Sequence, residues 1–324
     1  MTHCRVPFVV LIIAALLAGC SSGVKNGPGV GTQPSGSAAA VPFDVRPLLK
    51  PQHKYLGAAF SDVPGSTASV DAFGRRVGKR PNLVEFYSEW GGGYDASGIR
   101  RLWQSGSLPM MAWEPFHTSL AAIAAGKSDA YVRKLATSVR DVNLPVVISF
   151  GHEMNTYWYP WGTHGNRPAD FVRAWRHLHD LFTDVGATSV IWVWSPNVVN
   201  PVRSVRLKPY YPGDAYVDWI GMIGYYTLGG AHTFSALYGP TMRQVRTFTG
   251  RPFFIAETAA QPGARRPADI TDLLAGVRQN PDVVGFVWFH IKKRADWRIY
   301  NDAPAIAAFR RGVQGSAIGF QIKH

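Results

Sequence analysis

Eight short apolar runs, separated by stretches of helical periodicity, occupy residues 55 to 289 and leave very few folds open to the chain. The runs are 55–60, 82–87, 109–113, 145–150, 190–194, 219–224, 252–256 and 284–289, and each reads as a buried strand. Between them, Val70, Phe73 and Val77 share one helical face, as do Tyr131, Leu135, Val139 and Val142. Phe171, Trp175, Leu178, Phe182 and Val185 mark a longer helix opening at Pro168-Ala169-Asp170. Ile270, Leu273, Leu274 and Val277 mark another, opened by Pro267-Ala268-Asp269, and 305–313 reads as a closing helix. Eight strands alternating with helices over about 270 residues match the count and size of an α/β protein of the (β/α)₈ TIM barrel type. A doubly wound open sheet is the structural alternative. It usually carries a Gly-rich phosphate loop after its first strand, and Phe60-Ser61-Asp62-Val63-Pro64-Gly65 is not one. A single barrel over residues 43–314, with 315–324 as a tail, is therefore expected.

The first 19 residues read as a targeting segment. Arg5 supplies a positive n-region, and residues 6–18 form an apolar run too short for a stable membrane span. Leu17-Ala18-Gly19-Cys20 resembles a bacterial lipobox, which implies cleavage before Cys20, lipid attachment to its sulfur and an extracytoplasmic, membrane-anchored protein. A plain secretory signal with an incidental cysteine is the alternative. Residues 20–42 are rich in Gly, Ser, Pro and Ala and read as a flexible linker. Cys4 and Cys20 are the only cysteines, so the barrel itself is expected to hold no disulfide and no thiolate-bound metal. The formal charge of +13 suits contact with anionic envelope material. Nucleic acid is not an expected partner, given the export signal and the lack of long basic runs. The membrane is expected to be met only through the N-terminal lipid, and the chain is expected to be a monomer.

Only five glutamates occur in 324 residues, and all lie in or just after the apolar runs: Glu85, Glu89, Glu114, Glu153 and Glu257. An ordinary α/β chain spends many glutamates on helix surfaces, where they favour the helix. Strand ends of a barrel converge on one mouth, so Glu153 after the fourth strand and Glu257 in the seventh should face each other across it. Paired carboxylates of this kind suit glycosidic bond cleavage. One, protonated, donates to the leaving oxygen, and the other, ionised, attacks the anomeric carbon or activates water. The 11 tryptophans are consistent with a sugar cleft, since an indole offers a flat apolar face and a polar edge. His152-Glu153 also opens the zinc-protease helix motif, but that motif needs a histidine where Thr156 stands, so no metal is expected. A serine hydrolase lacks its Gly-x-Ser-x-Gly elbow.

Gly151-His152-Glu153-Met154-Asn155, followed by Trp158-Tyr159-Pro160-Trp161-Gly162, resembles the signature of glycoside hydrolase family 26, a 4/7 superfamily barrel. Gly221-Met222-Ile223-Gly224-Tyr225, Ile255-Ala256-Glu257-Thr258, Trp288-Phe289 and Asp296-Trp297-Arg298 extend the resemblance over roughly residues 54 to 312. That family holds β-mannanases, mixed-linkage β-glucanases and some β-xylanases. The resemblance implies a retaining endo-β-glycosidase with Glu153 as acid/base and Glu257 as nucleophile, needing no cofactor. It also implies His152 at the cleavage subsite and Tyr225 as a hydrogen-bond donor to the nucleophile. Trp113 and Glu114 are placed at a neighbouring subsite. The family's mannanases often carry histidine at that place, so Glu114 leans toward a glucan or another β-glycan. Asn155 bonds either sugar or its own loop; Trp158 and Trp161 wall the cleft or pack as a rigid loop; Trp288 is the expected stacking platform. Two other readings stay open: a catalytically inactive carbohydrate-binding barrel, and the same chemistry on an endogenous envelope polysaccharide.

Overall fold

A computed structural model describes residues 41–199 and 204–322. The expected signal segment, the lipidation candidate Cys20 and the linker up to residue 40 lie outside the described residues. Within them, eight parallel strands close a barrel in chain order. They are β1 (Tyr55–Ala59), β2 (Leu83–Glu89), β3 (Leu108–Glu114), β4 (Val146–Phe150), β5 (Val190–Trp194), β6 (Trp219–Ile223), β7 (Phe253–Thr258) and β8 (Val283–Phe289). Closure is made by β1 against β8, with Tyr55 opposite Gly285 and Ala59 opposite Phe289. Every strand read from the sequence is present, with ends moved by no more than two residues.

The helices are α1 (Arg46–Leu49), α2 (Ala68–Val77), α3 (Ala96–Gln104), α4 (Leu120–Ala124), α5 (Asp129–Val142), α6 (Pro168–Val185), α7 (Phe234–Val245), α8 (Arg266–Gln279) and α9 (Ala303–Gly312). Their starts carry the expected chemistry. Asp95, Ser119, Thr233 and Asp302 accept from backbone N–H groups of α3, α4, α7 and α9. At the far ends of α2, α5 and α6, Gly78, Asn143 and Gly186 take the left-handed conformation that stops a helix.

Two packed layers form the core. Successive side chains of a strand point alternately into the barrel and outward to the helices, and both sets are buried here. Phe150 on the outer face meets Phe171 and Trp175 of α6, whereas Ser149 on the inner face bonds Ser195, just past the end of the neighbouring strand β5, at 2.7 Å.

Residues 315–322 continue the fold beneath the strands' amino ends. Ile318 bridges Lys54, and Asn82 accepts from Leu56 N–H while donating to the Phe320 carbonyl. Ile318 and Ile322 are buried there. The opposite end, where the strands terminate, is left to the loops that build the cleft.

Candidate active site

A cleft of about 940 Å³ opens at the carboxyl ends of the strands, and Glu153 and Glu257 both line it. The sequence motif at Glu153 folds as a tight turn off β4. Gly151 and Glu153 both have positive φ, 53° and 55°, and the Glu153 N–H donates to the Ser195 carbonyl at 2.7 Å. A left-handed non-glycine residue costs of order 1–3 kcal/mol, so the surrounding bonds hold this side chain where relaxed backbone would not. Gly162 closes the same loop: a β-carbon there would stand 2.0 Å from the Thr156 carbonyl oxygen.

The two carboxylates have unlike partners. Glu153 accepts from Trp158 Nε1 at 2.9 Å and, at its other oxygen, from Asn197 Nδ2. Burial, and then the negative charge of Glu257, push its pKa up to about 7. Glu257 accepts from two phenols, Tyr225 at one oxygen and Tyr87 at the other. Burial raises its pKa above the ordinary carboxylate value, and both phenol bonds and the nearby Lys293 charge limit that rise. Phenols that donate to a carboxylate favour its ionised form.

Around the pair, His152 is buried and its Nε2 lies 3.1 Å from the Tyr159 hydroxyl and 3.9 Å from Glu114. Burial and then the Lys293 charge lower the His152 pKa to about 3, so the ring is neutral. Glu114 is raised to about 7, chiefly by burial. Glu85 sits inside the barrel below Tyr87 with one carboxyl oxygen unpartnered; burial, then the charges of Glu257 and Glu114, push its pKa well above the usual carboxylate value.

Several expected placements need correction. Trp288 is fully buried on the outer face of β8, edge-on to Phe309 of α9 at 5.0 Å, and is not part of the lining of this cleft. Its neighbour Phe289, facing inward, lines the cleft instead. Trp113 is likewise turned outward, stacked on Trp90 at 4.7 Å and packed against Phe182 of α6. Trp161 is buried: it stacks on Tyr159 at 4.5 Å and donates to the His152 carbonyl at 2.7 Å, so it is loop scaffold. Asn155 is also buried and does not reach the cleft. It exchanges two bonds of 2.9 Å with the Asn197 backbone and thereby positions the amide that meets Glu153. Trp158, 36% exposed, does line the cleft.

Tyr87 and Asn197, not singled out from the sequence, also line the cleft, as does Trp297, which is named there only within the Asp296-Trp297-Arg298 block. Trp297 lines the cleft with its ring 4.8 Å from that of Tyr225, whereas Trp288 does not. Alternation within β2 was the available signal for Tyr87: it lies two residues past the inward Glu85, at the strand's mouth end. Among the described residues no cluster of His, Cys, Asp and Glu could hold a metal ion.

Two measurements check these placements. Trp288→Ala should cost about 3–5 kcal/mol of stability, as for a buried Trp truncation, and denaturant unfolding reads it. The pH dependence of stability tests Glu153. Its folded pKa of about 7 lies above the ordinary value of 4.5, so the folded state binds the proton more tightly. That contribution is full below pH 4.5 and is lost as pH rises through 7. The stability difference between wild type and Glu153→Ala should therefore tilt by up to about 3 kcal/mol between those limits, toward the variant at the alkaline end.

The chain resembles known proteins in sequence and in fold. A family model described as glycosyl hydrolase family 26 matches residues 123–250. Endoglucanase H of Acetivibrio thermocellus is 29% identical over 95% of this chain and 33% of its own length. Mannan endo-1,4-beta-mannosidase A and B of Caldalkalibacillus mannanilyticus is 27% identical over 47% of this chain and 30% of its own. The chain thus spans about a third of the length of these relatives. Among solved structures, a modular endo-beta-1,4-mannanase from Cellulomonas fimi superposes with a TM-score of 0.67 at 18% identity, covering 83% of this chain and 72% of that one. At that identity the superposition supports the shared barrel fold.

Proposed function

We propose that this chain, which belongs to glycosyl hydrolase family 26, is a retaining endo-β-glycosidase acting on a β-linked polysaccharide of the mannan or β-glucan class. The observation that carries the reading is the unlike partnering of two carboxylates in one cleft. Glu257, clamped between Tyr87 and Tyr225, is the ionised nucleophile; Glu153, raised to about 7, is the acid/base.

In the first step Glu257 attacks the anomeric carbon while Glu153 gives its proton to the departing glycosidic oxygen. The bond to the leaving sugar breaks as the ester bond to Glu257 forms. Esterification removes the Glu257 charge, which is the second-largest cause of the raised Glu153 pKa. Glu153, now ionised and more acidic, takes a proton from water. That water attacks the same carbon from the face the leaving group vacated, and Glu257 departs as a carboxylate. Two inversions leave the configuration unchanged. Retention also implies carboxyl groups about 5–5.5 Å apart, leaving no room for the water an inverting pair needs.

Incubation with mannan, mixed-linkage glucan, laminarin and xylan, followed by proton NMR of the first products, tests the proposal. A β-configured new reducing end is expected. An α-configured one, or no cleavage of any of the four, would overturn it. The names of the relatives, an endoglucanase and mannan endo-1,4-beta-mannosidases, support a β-glycan substrate. Glu114 beside His152 favours a glucan. The lipobox-like Leu17-Ala18-Gly19-Cys20 supports an enzyme working outside the cytoplasm, held to the membrane through Cys20.

A further inference from the structure

The loop between β8 and α9 folds back as a small hairpin. Lys292 and Asp296 pair as an antiparallel bridge, and the Lys293 N–H donates to the Ala295 carbonyl at 3.0 Å. Its tip presents Lys293 and Arg294, both exposed and both lining the cleft. Among the described residues they are the cations of that lining, as Glu153 and Glu257 are its carboxylates. The loop's own carboxylate does not neutralise them, because Asp296 accepts from Arg298 through Nε and Nη2, each at 2.8 Å. Neither Lys293 nor Arg294 enters an ion pair with another described residue.

Lys293 taken alone has a second explanation, since its charge is felt at Glu153, Glu257 and Glu114 and offsets the acidic floor. Arg294 does not share it. Its charge is felt at Tyr159, on the loop after β4 across the cleft. A neutral glycan needs no such pair, and the protein's formal charge of +13 adds an attractive field for polyanions beyond contact range.

From this hairpin tip we infer that the cleft takes a β-glycan bearing an anionic substituent, a carboxylate or a phosphate ester, on a sugar bound beside the cleaved bond. The inference rests on the hydrolase reading for cleavage, but binding tests it separately. A planar guanidinium and a point-charged ammonium on one side of a sugar ring can each give charge-assisted hydrogen bonds to such a group. The rest of the chain stays in contact with Trp297 and the neutral loop at Thr227.

The test uses the full chain carrying Glu257→Ala, so that bound polymer is not cleaved. Titration calorimetry compares a neutral β-glucan oligosaccharide with the same oligosaccharide carboxylated at C6 and, in a third arm, phosphorylated there. At low salt one charged form should bind at least about tenfold more tightly than the neutral one, a difference that narrows but persists at an ionic strength of about 0.15 M, where the Debye length of about 8 Å still exceeds a contact hydrogen bond. Adding Lys293→Ala and Arg294→Ala should abolish the preference. The stronger charged arm tells carboxylate from phosphate. Equal affinities, a preference for the neutral sugar, or a preference that survives the double substitution would overturn the inference. Failure of the wild type to cleave these oligosaccharides and also mannan, mixed-linkage glucan, laminarin and xylan would instead overturn the hydrolase reading.

Discussion

Glu257→Ala should lower turnover of a β-glycan by on the order of 10⁴–10⁶-fold, the scale on which deleting a covalent nucleophile acts. The loss is expected in kcat with little change in fold, because the side chain packs against two phenols at the cleft floor and not in the helix layer. Azide should restore part of the rate. It is small enough for the space left between Tyr87 and Tyr225, and it attacks the anomeric carbon from the face Glu257 served. One inversion on a β-glycoside gives an α-glycosyl azide, which NMR identifies. Near wild-type activity in this variant would remove Glu257 from the mechanism, and a β-azide would exchange its role with that of Glu153.

Glu153→Ala has the second-largest expected effect, about 10²–10⁴-fold, as for loss of general acid–base catalysis. The loss should grow with the basicity of the leaving group, being small for an activated aryl glycoside and large for a polysaccharide. Azide acts on this variant from the other side. The glycosyl ester still forms, azide opens it from the vacated face, and a β-glycosyl azide results. The pH profile gives an independent readout. The acid form of Glu153 must be present to protonate the leaving group, and burial with the Glu257 charge holds its pKa near 7. Wild-type activity should therefore fall as pH rises through about 7, and the variant should lose that limb. A limb that persists unchanged in Glu153→Ala would assign the acid elsewhere, with Glu114, also raised to about 7, as the next candidate.

The strands were legible because each is buried on both faces, which leaves an apolar run with no competing pattern. Glu153 and Glu257 were legible for the opposite reason, as costly charges standing where apolar residues belong. The tryptophans were harder to assign. Trp288 and Phe289 are adjacent, both apolar and both at the end of β8, and only the facing of the final residue decides which enters the cleft. A one-residue change of register exchanges them, and composition carries no information on it. Asn155 and Asn197 show a different limit. One supports the other through backbone bonds made 42 positions apart, and nothing in the local pattern around Asn197 marks it as a partner of Glu153. Trp297 lies in an irregular loop, where periodicity gives no facing at all.

Both described ends of the chain are fastened on the side away from the cleft. Asn143 holds Val41 and Phe43 at the far end of α5, and Asn82 holds Phe320 under β2. Each described end therefore leaves the barrel on the face opposite Glu153 and Glu257, so their attachment does not constrain the loops that line the cleft.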